Sequence, residues 1–433
     1  MISNFSLRTS ACLFILAALS AGATAQNGSA WPQWRGPLAS GVSLTAKPAL
    51  EWSETKNVRW KVEIPGRGSA SPIVWRDRVY LLTAIPAAAD VPASHVASRG
   101  RNRYVVMALD RRSGKTVWER TAREEEPHEG THNQFGTYAS SSAVTDGDVL
   151  IASFESRGIY AYDLAGTKLW DVDLGDKRMR SEFGEGTTPA LYKDRIFVVW
   201  DHQGESFIVA LDKKSGKELW RTKRDEIDSW ATPLVVEADG KAQVVTSGMR
   251  RVRSYDAQTG ELVWETAGLT MNPIPSPVFG DGIVYLTSGF RGNSLKAVRI
   301  AEAKGDITNT PALAWTLDRD TPYVPSPLLY EGILYFLKGN TGVLSALDAK
   351  SGKPHYQLQR MEATPNVFAS PVGADGKVIV LGQDGGAVVL KHGPTYEVLA
   401  TNRLEDKFDA SPALVDGEMF LRGYRYLYCV AAK

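Results

Sequence analysis

The sequence predicts an all-β fold: an eight-bladed propeller of four-stranded antiparallel blades, closed by an N-terminal strand that completes the last blade. Three observations carry this prediction. The first is a small residue followed by Pro that opens a strand, at Ser71-Pro72, Thr188-Pro189, Thr232-Pro233, Ser276-Pro277, Ser326-Pro327, Ser370-Pro371 and Ser411-Pro412, with Ser142-Ala143 as the one unit lacking the Pro. The eight markers are 71, 46, 44, 44, 50, 44 and 41 residues apart, a period typical of propeller blades and repeat arrays. The second is a turn signature later in each unit: Asp110, Gly114 and Trp118 recur as Asp212, Gly216, Trp220 and as Asp256, Gly260, Trp264. The third is a mismatch at the ends. The unit from Asp409 to Lys433 has room for three strands, and a strand at Asn57–Ile64 precedes the first unit.

In chain order, residues 1–25 read as a secretory leader. Arg8 is the positive region, Ala11–Ala21 the apolar run, and Ala23-Thr24-Ala25 a small-x-small cleavage site. The apolar run is too short to span a bilayer, and no later run approaches that length, so no membrane span is expected. Cys12 lies inside the leader, which leaves Cys429, flanked by Leu427, Tyr428 and Val430, as a buried inert thiol. An exported chain with one Cys has no internal disulfide and relies on its core. Loss of the leader removes one Arg and no acid from the 50 basic and 49 acidic residues. The balanced charge argues against nucleic acid as a partner.

Residues 26–56 are expected as an extended lead, with Trp31–Ser43 (WPQWRGPLASGVS) lying on the body rather than forming a strand, and residues 57–433 as a single propeller domain. Asn57–Ile64 alternates, with Val58, Trp60, Val62 and Ile64 on one face. The 71-residue interval contains an insertion, Ile85–Arg103, rich in Ala, Pro and Ser. Within the units, Ser-Gly-Lys and Thr-Gly-Glu supply a Gly for the positive φ of a hairpin turn. Asp163, Gly166 and Trp170 match the signature with one residue deleted, Asp348, Gly352 and Tyr356 match with Tyr for Trp, the fifth unit keeps Trp315 with a longer turn at Ala301–Thr310, and the seventh, near Tyr396, has lost it. The Asn57–Ile64 strand supplies the Trp-bearing strand missing from the eighth unit, which closes the ring and removes its open edges. An open solenoid would leave that strand unexplained.

The Trp at one repeat position (Trp60, Trp118, Trp170, Trp220, Trp264, Trp315) are structural. A ligand needs an aromatic once or twice, not in six units. Each is expected to pack between blades and donate its N–H to a backbone carbonyl.

This Trp-docked repeat, with Ala108-Leu-Asp-Arg-Arg-Ser-Gly-Lys-Thr-Val-Trp118 as one copy, resembles the pyrroloquinoline quinone (PQQ) repeat propellers across nearly the whole mature chain. That superfamily includes quinoprotein alcohol and glucose dehydrogenases, an outer-membrane assembly lipoprotein and many secreted bacterial proteins with no assigned activity. WPQWRGP, IPSPV and YVPSPLLY look like the last group. The resemblance implies a fold more than an activity. The dehydrogenases hold PQQ on the axis with Ca²⁺ and an Asp base, and the alcohol-oxidising type often adds an adjacent-Cys disulfide. This chain lacks that Cys pair and any haem-attachment C-x-x-C-H, and it lacks the lipidated Cys of the assembly lipoprotein. The resemblance therefore gives no specific residues for PQQ with Ca²⁺, and a functional quinoprotein dehydrogenase is not expected.

Chemistry is expected where the repeat breaks. Segments leading into the innermost strands converge on one channel mouth, and they carry Arg67, Tyr138, Glu185, Trp230, Asn272, Tyr323, Asn366 and Asp409. Such a ring suits a polar ligand, a sugar or a quinone acid; it equally suits strand-end hydrogen bonding around a wet channel. Thr131–Ser142 is the most unusual segment, with His128, His132 and Asn133 beside it; these residue types serve acid–base or metal chemistry, although H-x-x-x-H has no helix here to align it and no metal site is assigned. There is no phosphate-binding Gly loop before a helix and no G-x-S-x-G elbow, and the carboxylates Glu182 and Glu185 alone do not argue a glycosidase. The expectation is an exported, periplasmic or extracellular monomer that binds a protein or a polar small-molecule or carbohydrate ligand through one axial face. The alternative is a PQQ-dependent or carbohydrate-active oxidoreductase with its site in the axial funnel.

Overall fold

The computed structural model describes residues 30–87 and 99–432. The leader expected at 1–25 and most of the insertion after Pro86 lie outside the described residues. Eight separate antiparallel sheets follow one another along the chain. We number the blades 1 to 8 by their opening residues Ser71, Ser142, Thr188, Thr232, Ser276, Ser326, Ser370 and Ser411. Blade 3 is typical, with Ala190–Tyr192, Arg195–Trp200, Phe207–Asp212 and Glu218–Lys223 in simple up-and-down order. Its first three strands are apolar and its fourth alternates, because the inner strands are covered on both faces and the fourth faces water.

Closure is as the sequence predicts. Val58–Glu63 is the outer strand of blade 8 and pairs with Tyr426–Ala431, with Trp60 opposite Cys429. Arg59 and Arg111, the latter from the blade 1 turn, both reach the buried carboxylate of Glu418 in blade 8. Cys429 is buried and free, and burial pushes its thiol up to about 12.

The two markers have separate physical jobs. In the turn signature the Asp carboxylate closes the hairpin: Asp212 Oδ1 accepts from Ser215 N at 2.8 Å and Ser215 Oγ at 2.6 Å, and Asp110 and Asp348 repeat the pattern. The Gly that follows lies against the indole of the preceding blade, so it answers both a positive φ and a close approach. A Cβ on Gly216 would stand 2.7 Å from the Trp170 ring. Trp60, Trp118, Trp170, Trp220 and Trp315 donate Nε1–H to backbone carbonyls of the next blade at 2.9–3.2 Å. Trp264 departs from that expectation and donates to Gln243 Oε1 in its own blade at 3.0 Å. The cause is the longer turn of the fifth unit, from which Gly305–Asp306 pairs in parallel with the Trp264 strand and covers the ring in place of a turn carbonyl.

The Ser or Thr of the first marker forms a girdle around the channel. The backbone N–H of seven of the eight marker residues donates to the hydroxyl of the next blade's marker, from Ser71 to Ser142, Ser142 to Thr188, then Thr232 to Ser276 and onward until Ser411 returns to Ser71, at 2.9–3.0 Å. A small hydroxyl residue is required because its side chain must satisfy a buried backbone donor of its neighbour.

The lead does not stay on the outside. Ala30–Trp31 forms a short strand on the inner edge of blade 1, opposite Trp75 and Val74, a strand with no periodic signal in the sequence. Thr145 N of blade 2 donates to Pro32 O, and Gly373 N of blade 7 donates to Gly41 O. The Arg35 guanidinium, 2% exposed, donates to Pro371 O at 2.9 Å, Pro327 O at 2.8 Å and Ser40 O at 3.2 Å. Apart from Ser40 of the lead itself, these partners sit on or immediately before the inner strands of blades 1, 2, 6 and 7, so the lead crosses the axis and plugs the channel.

Candidate functional site: the axial mouth

The plug gives the channel a floor, and the segments before the markers give it walls. Between them lies a cavity of about 300 Å³. Six of the residues singled out by sequence line it: His132, Glu185, Trp230, Asn272, Tyr323 and Asp409. They come from loops before six different blades, and up-and-down blade order brings such loops to one end. Four do not line it. Arg67 lies 3.7 Å over the Tyr424 ring, beside Asp409; Tyr138 lines an adjoining crevice and donates to Glu129 O at 3.3 Å; Asn133 and Asn366 are exposed.

Other lining groups escaped sequence reading. Trp34 is part of the floor, and marker hydroxyls form a polar band around the wall. Phe135, on the loop before blade 2, packs on Phe368 of the loop before blade 7, with ring centroids 4.7 Å apart, and stacks on His132 at 5.1 Å. That loop therefore reaches across the mouth. The unit's missing Pro and the His128, His132 and Asn133 group marked the loop in the sequence, but nothing marked Phe135 itself. Trp34 was marked only by a Trp-rich motif that fits no blade.

Asn272 is 2% exposed and adopts φ 53°; the Tyr323 hydroxyl interacts with its side-chain amide, and neither amide atom makes a hydrogen bond of normal geometry among the described residues. The Trp230 indole is fixed by its donation to Gly184 O at 2.7 Å. Asp409 accepts from Gln383 Nε2 at 2.8 Å and Tyr424 OH at 2.7 Å, and burial holds its carboxyl above the usual range. Burial, reinforced by nearby Glu155, pushes the Glu185 carboxyl up to about 7.

Behind Glu185 lies a buried polar cluster. Lys177 Nζ pairs with Glu155 at 2.5 Å, and Glu155 also accepts from Ser141 Oγ and Thr187 N, each at 2.7 Å. Glu185 accepts from Ser156 N at 3.0 Å. His128, Glu129 and Glu185 place ligand-type atoms within 4.8 Å of one another. Both His128 nitrogens are engaged, however: Nε2 with Lys177 O at 2.5 Å and Nδ1 with Arg157 Nη2 at 3.1 Å. The imidazole positions neighbouring strands and has no free lone pair for a metal.

The same accounting tests PQQ with Ca²⁺. The lining holds Glu185 and Asp409 and neither Lys nor Arg, so the carboxylates of a quinone acid would face like charge. Ca²⁺ takes about six to eight oxygens, whereas the two carboxyl groups here already accept hydrogen bonds from protein donors. The residues present do not fit that pair.

Comparison with known proteins places this architecture. A family model described as outer membrane protein assembly factor BamB matches residues 42–199 and 155–308. Outer membrane protein assembly factor BamB of Moranella endobia is 26% identical over 251 residues, 52% of this chain and 59% of that protein, and its counterpart from Yersinia pestis is 25% identical over 244 residues, 52% and 58%. The matches thus span less than two thirds of these relatives. Among solved structures, BamB from Moraxella catarrhalis superposes with a TM-score of 0.61 at 14% identity, over 86% of this chain and 99% of that one. Quinohemoprotein alcohol dehydrogenase from Comamonas testosteroni superposes with a TM-score of 0.65 at 12% identity, over 94% and 81%. At these identities the structural likeness speaks for the fold alone. No helix among the described residues is long and apolar enough to cross a membrane.

Proposed function

The chain belongs to the family described as outer membrane protein assembly factor BamB, and from that premise we propose that it is an exported binding and scaffold module in outer-membrane protein assembly, engaging its partner through the axial mouth. The proposal takes residues 1–25 as a cleaved leader, 26–56 as the lead and 57–433 as one propeller domain. The observation that carries it is the concentration of non-repeating side chains at one end. The blades devote their repeated Asp, Gly, Trp and Ser or Thr to architecture, while the mouth gathers His132, Phe135, Glu185, Asn272 and Phe368 around a floored cavity. A scaffold needs such a unique surface on a rigid body. The oxidoreductase alternative has less support, because the cavity offers no cofactor-binding set.

Complementation tests the proposal. In the source cell, removing the chain is expected to lower the level of assembled outer-membrane proteins. A double variant Asn133→Arg, Asn366→Arg, charged at two exposed positions beside His132 and Phe368, is expected not to restore it. A control Leu169→Arg, Leu219→Arg, at exposed positions on the outer strands, is expected to restore it. Full restoration by the mouth variant would overturn the proposal.

A further inference from the structure

We propose that the axial cavity is a binding site for a small neutral saccharide, with the Asn272 carboxamide reading its hydroxyls over an aromatic floor and wall. The inference rests on the mouth being the binding face and adds the chemical class of ligand. Three independent features carry it.

First, Asn272 holds a donor and an acceptor that make no hydrogen bond of normal geometry among the described residues, with only the Tyr323 hydroxyl beside them, in a buried wall, on a left-handed backbone. A buried unsatisfied amide costs about 1–3 kcal/mol per group, and the backbone conformation adds strain that Asn tolerates better than most residues. A hydroxyl is both donor and acceptor, so a vicinal diol satisfies both ends of one carboxamide.

Second, the aromatic groups are platforms with their polar edges already used or absent. Trp230 has given its N–H to Gly184 O, and Phe135 and Phe368 have no polar edge. Trp34 supplies the floor. Flat apolar faces beside directional polar groups suit the C–H faces and hydroxyl rims of a pyranose, and the cavity of about 300 Å³ is at the small end of ligand sites, the size of a mono- or disaccharide.

Third, the charge pattern selects against ions. The lining has no Lys or Arg to meet an anion. Its two carboxyl groups already accept from protein donors, Asp409 from Gln383 and Tyr424 and Glu185 from Ser156, so neither is left open to hold a cation. The marker hydroxyls on the wall accept a neighbour's N–H and keep their own proton to donate: Ser142 accepts from Ser71 N and Ser276 from Thr232 N.

The test is titration calorimetry and thermal melting of the full mature chain with glucose, maltose and N-acetylglucosamine as neutral probes, glucuronate as the anionic probe and choline as the cationic one. At least one neutral probe is expected to bind and raise the melting temperature, with glucuronate at least tenfold weaker than glucose. Asn272→Gly is the informative variant, because Gly takes a φ of 53° without strain. It is expected to keep or raise the melting temperature of the free protein and to weaken saccharide binding at least tenfold. Binding unchanged in Asn272→Gly would overturn the assignment of the site. Choline binding without saccharide binding would overturn the ligand class and leave the mouth as the binding face. Binding of none of the five would overturn the saccharide inference alone, since the mouth as a partner surface is decided separately by the Asn133 and Asn366 complementation.

Discussion

Glu185 shows how one residue ties the cavity to the body of the protein. It lines the mouth, accepts from Ser156 N, and is pushed up to about 7 mainly by burial and then by Glu155. Between about 4.3, the usual Glu value, and about 7, the folded protein therefore holds a proton that the unfolded chain releases. The contribution to stability is fully present below the lower value and is lost as pH rises through the upper one. Glu185→Gln cannot ionise, so its stability relative to the parent is expected to improve by about 1–3 kcal/mol from pH 5 to pH 8, read by chemical denaturation at both pH values. An identical pH dependence in the two proteins would contradict this account. Gly216 makes a second test at the same scale. A Cβ there meets the Trp170 ring at 2.7 Å on a backbone with φ 70°, whereas Gly332, with φ 78°, has nothing within 4 Å. Gly216→Ala is expected to cost about 2–4 kcal/mol, strain plus overpacking. Gly332→Ala should cost only the strain, about 1–2 kcal/mol. Equal costs would mean that the indole contact contributes nothing.

At the scale of the element, the lead is the piece that turns a ring into a vessel. Arg35 sits on the axis, and burial without a carboxylate partner lowers it to about 9. Three carbonyls accept from it, two of them belonging to marker prolines of blades 6 and 7. Arg35→Lys is expected to destabilise the protein by about 2–4 kcal/mol, because an ammonium cannot span the carbonyls that a planar guanidinium reaches at once. Wild-type stability in the Lys variant would show that the plug is held by other contacts. The lead also marks where sequence reading stopped. The Asp, Gly and Trp of the blades were legible because each job is repeated and each partner lies one blade away. The closing strand was legible because blade 8 lacks a strand and Asn57–Ile64 is one too many. Arg35 has no copy, and its partner Pro371 is 336 residues distant, so no periodicity points to it. The same reason hid Phe135, which meets Phe368 through a single loop reach. The repeated Ser and Thr were visible as small residues, but their role appears only in the blade-to-blade hydrogen bonds of the girdle. Trp264 looked like its five counterparts because the insertion that covers it lies in the following unit.

At the scale of the molecule, two closures coincide, the strand exchange in blade 8 and the axial plug, and the hydroxyl girdle links seven of the eight blade junctions between them. The ring has no free end at its junction, so blade 8 should not fray. Amides of Val58–Glu63 that pair with Tyr426–Ala431 are expected to exchange hydrogen with the same protection as the inner strands of other blades, and exchange at the fast limit would contradict closure. A body closed in this way serves as a rigid carrier for the one surface that does not repeat, which is why function is assigned to the mouth and not to the blades. Photo-crosslinking in the cell envelope tests that assignment most directly, with a benzophenone side chain placed singly at Asn133, Asn366, Leu169 or Leu219. Adducts of one defined mass are expected from Asn133 and Asn366 and none from Leu169 and Leu219; adducts confined to the outer-strand positions would place the partner on the blades instead.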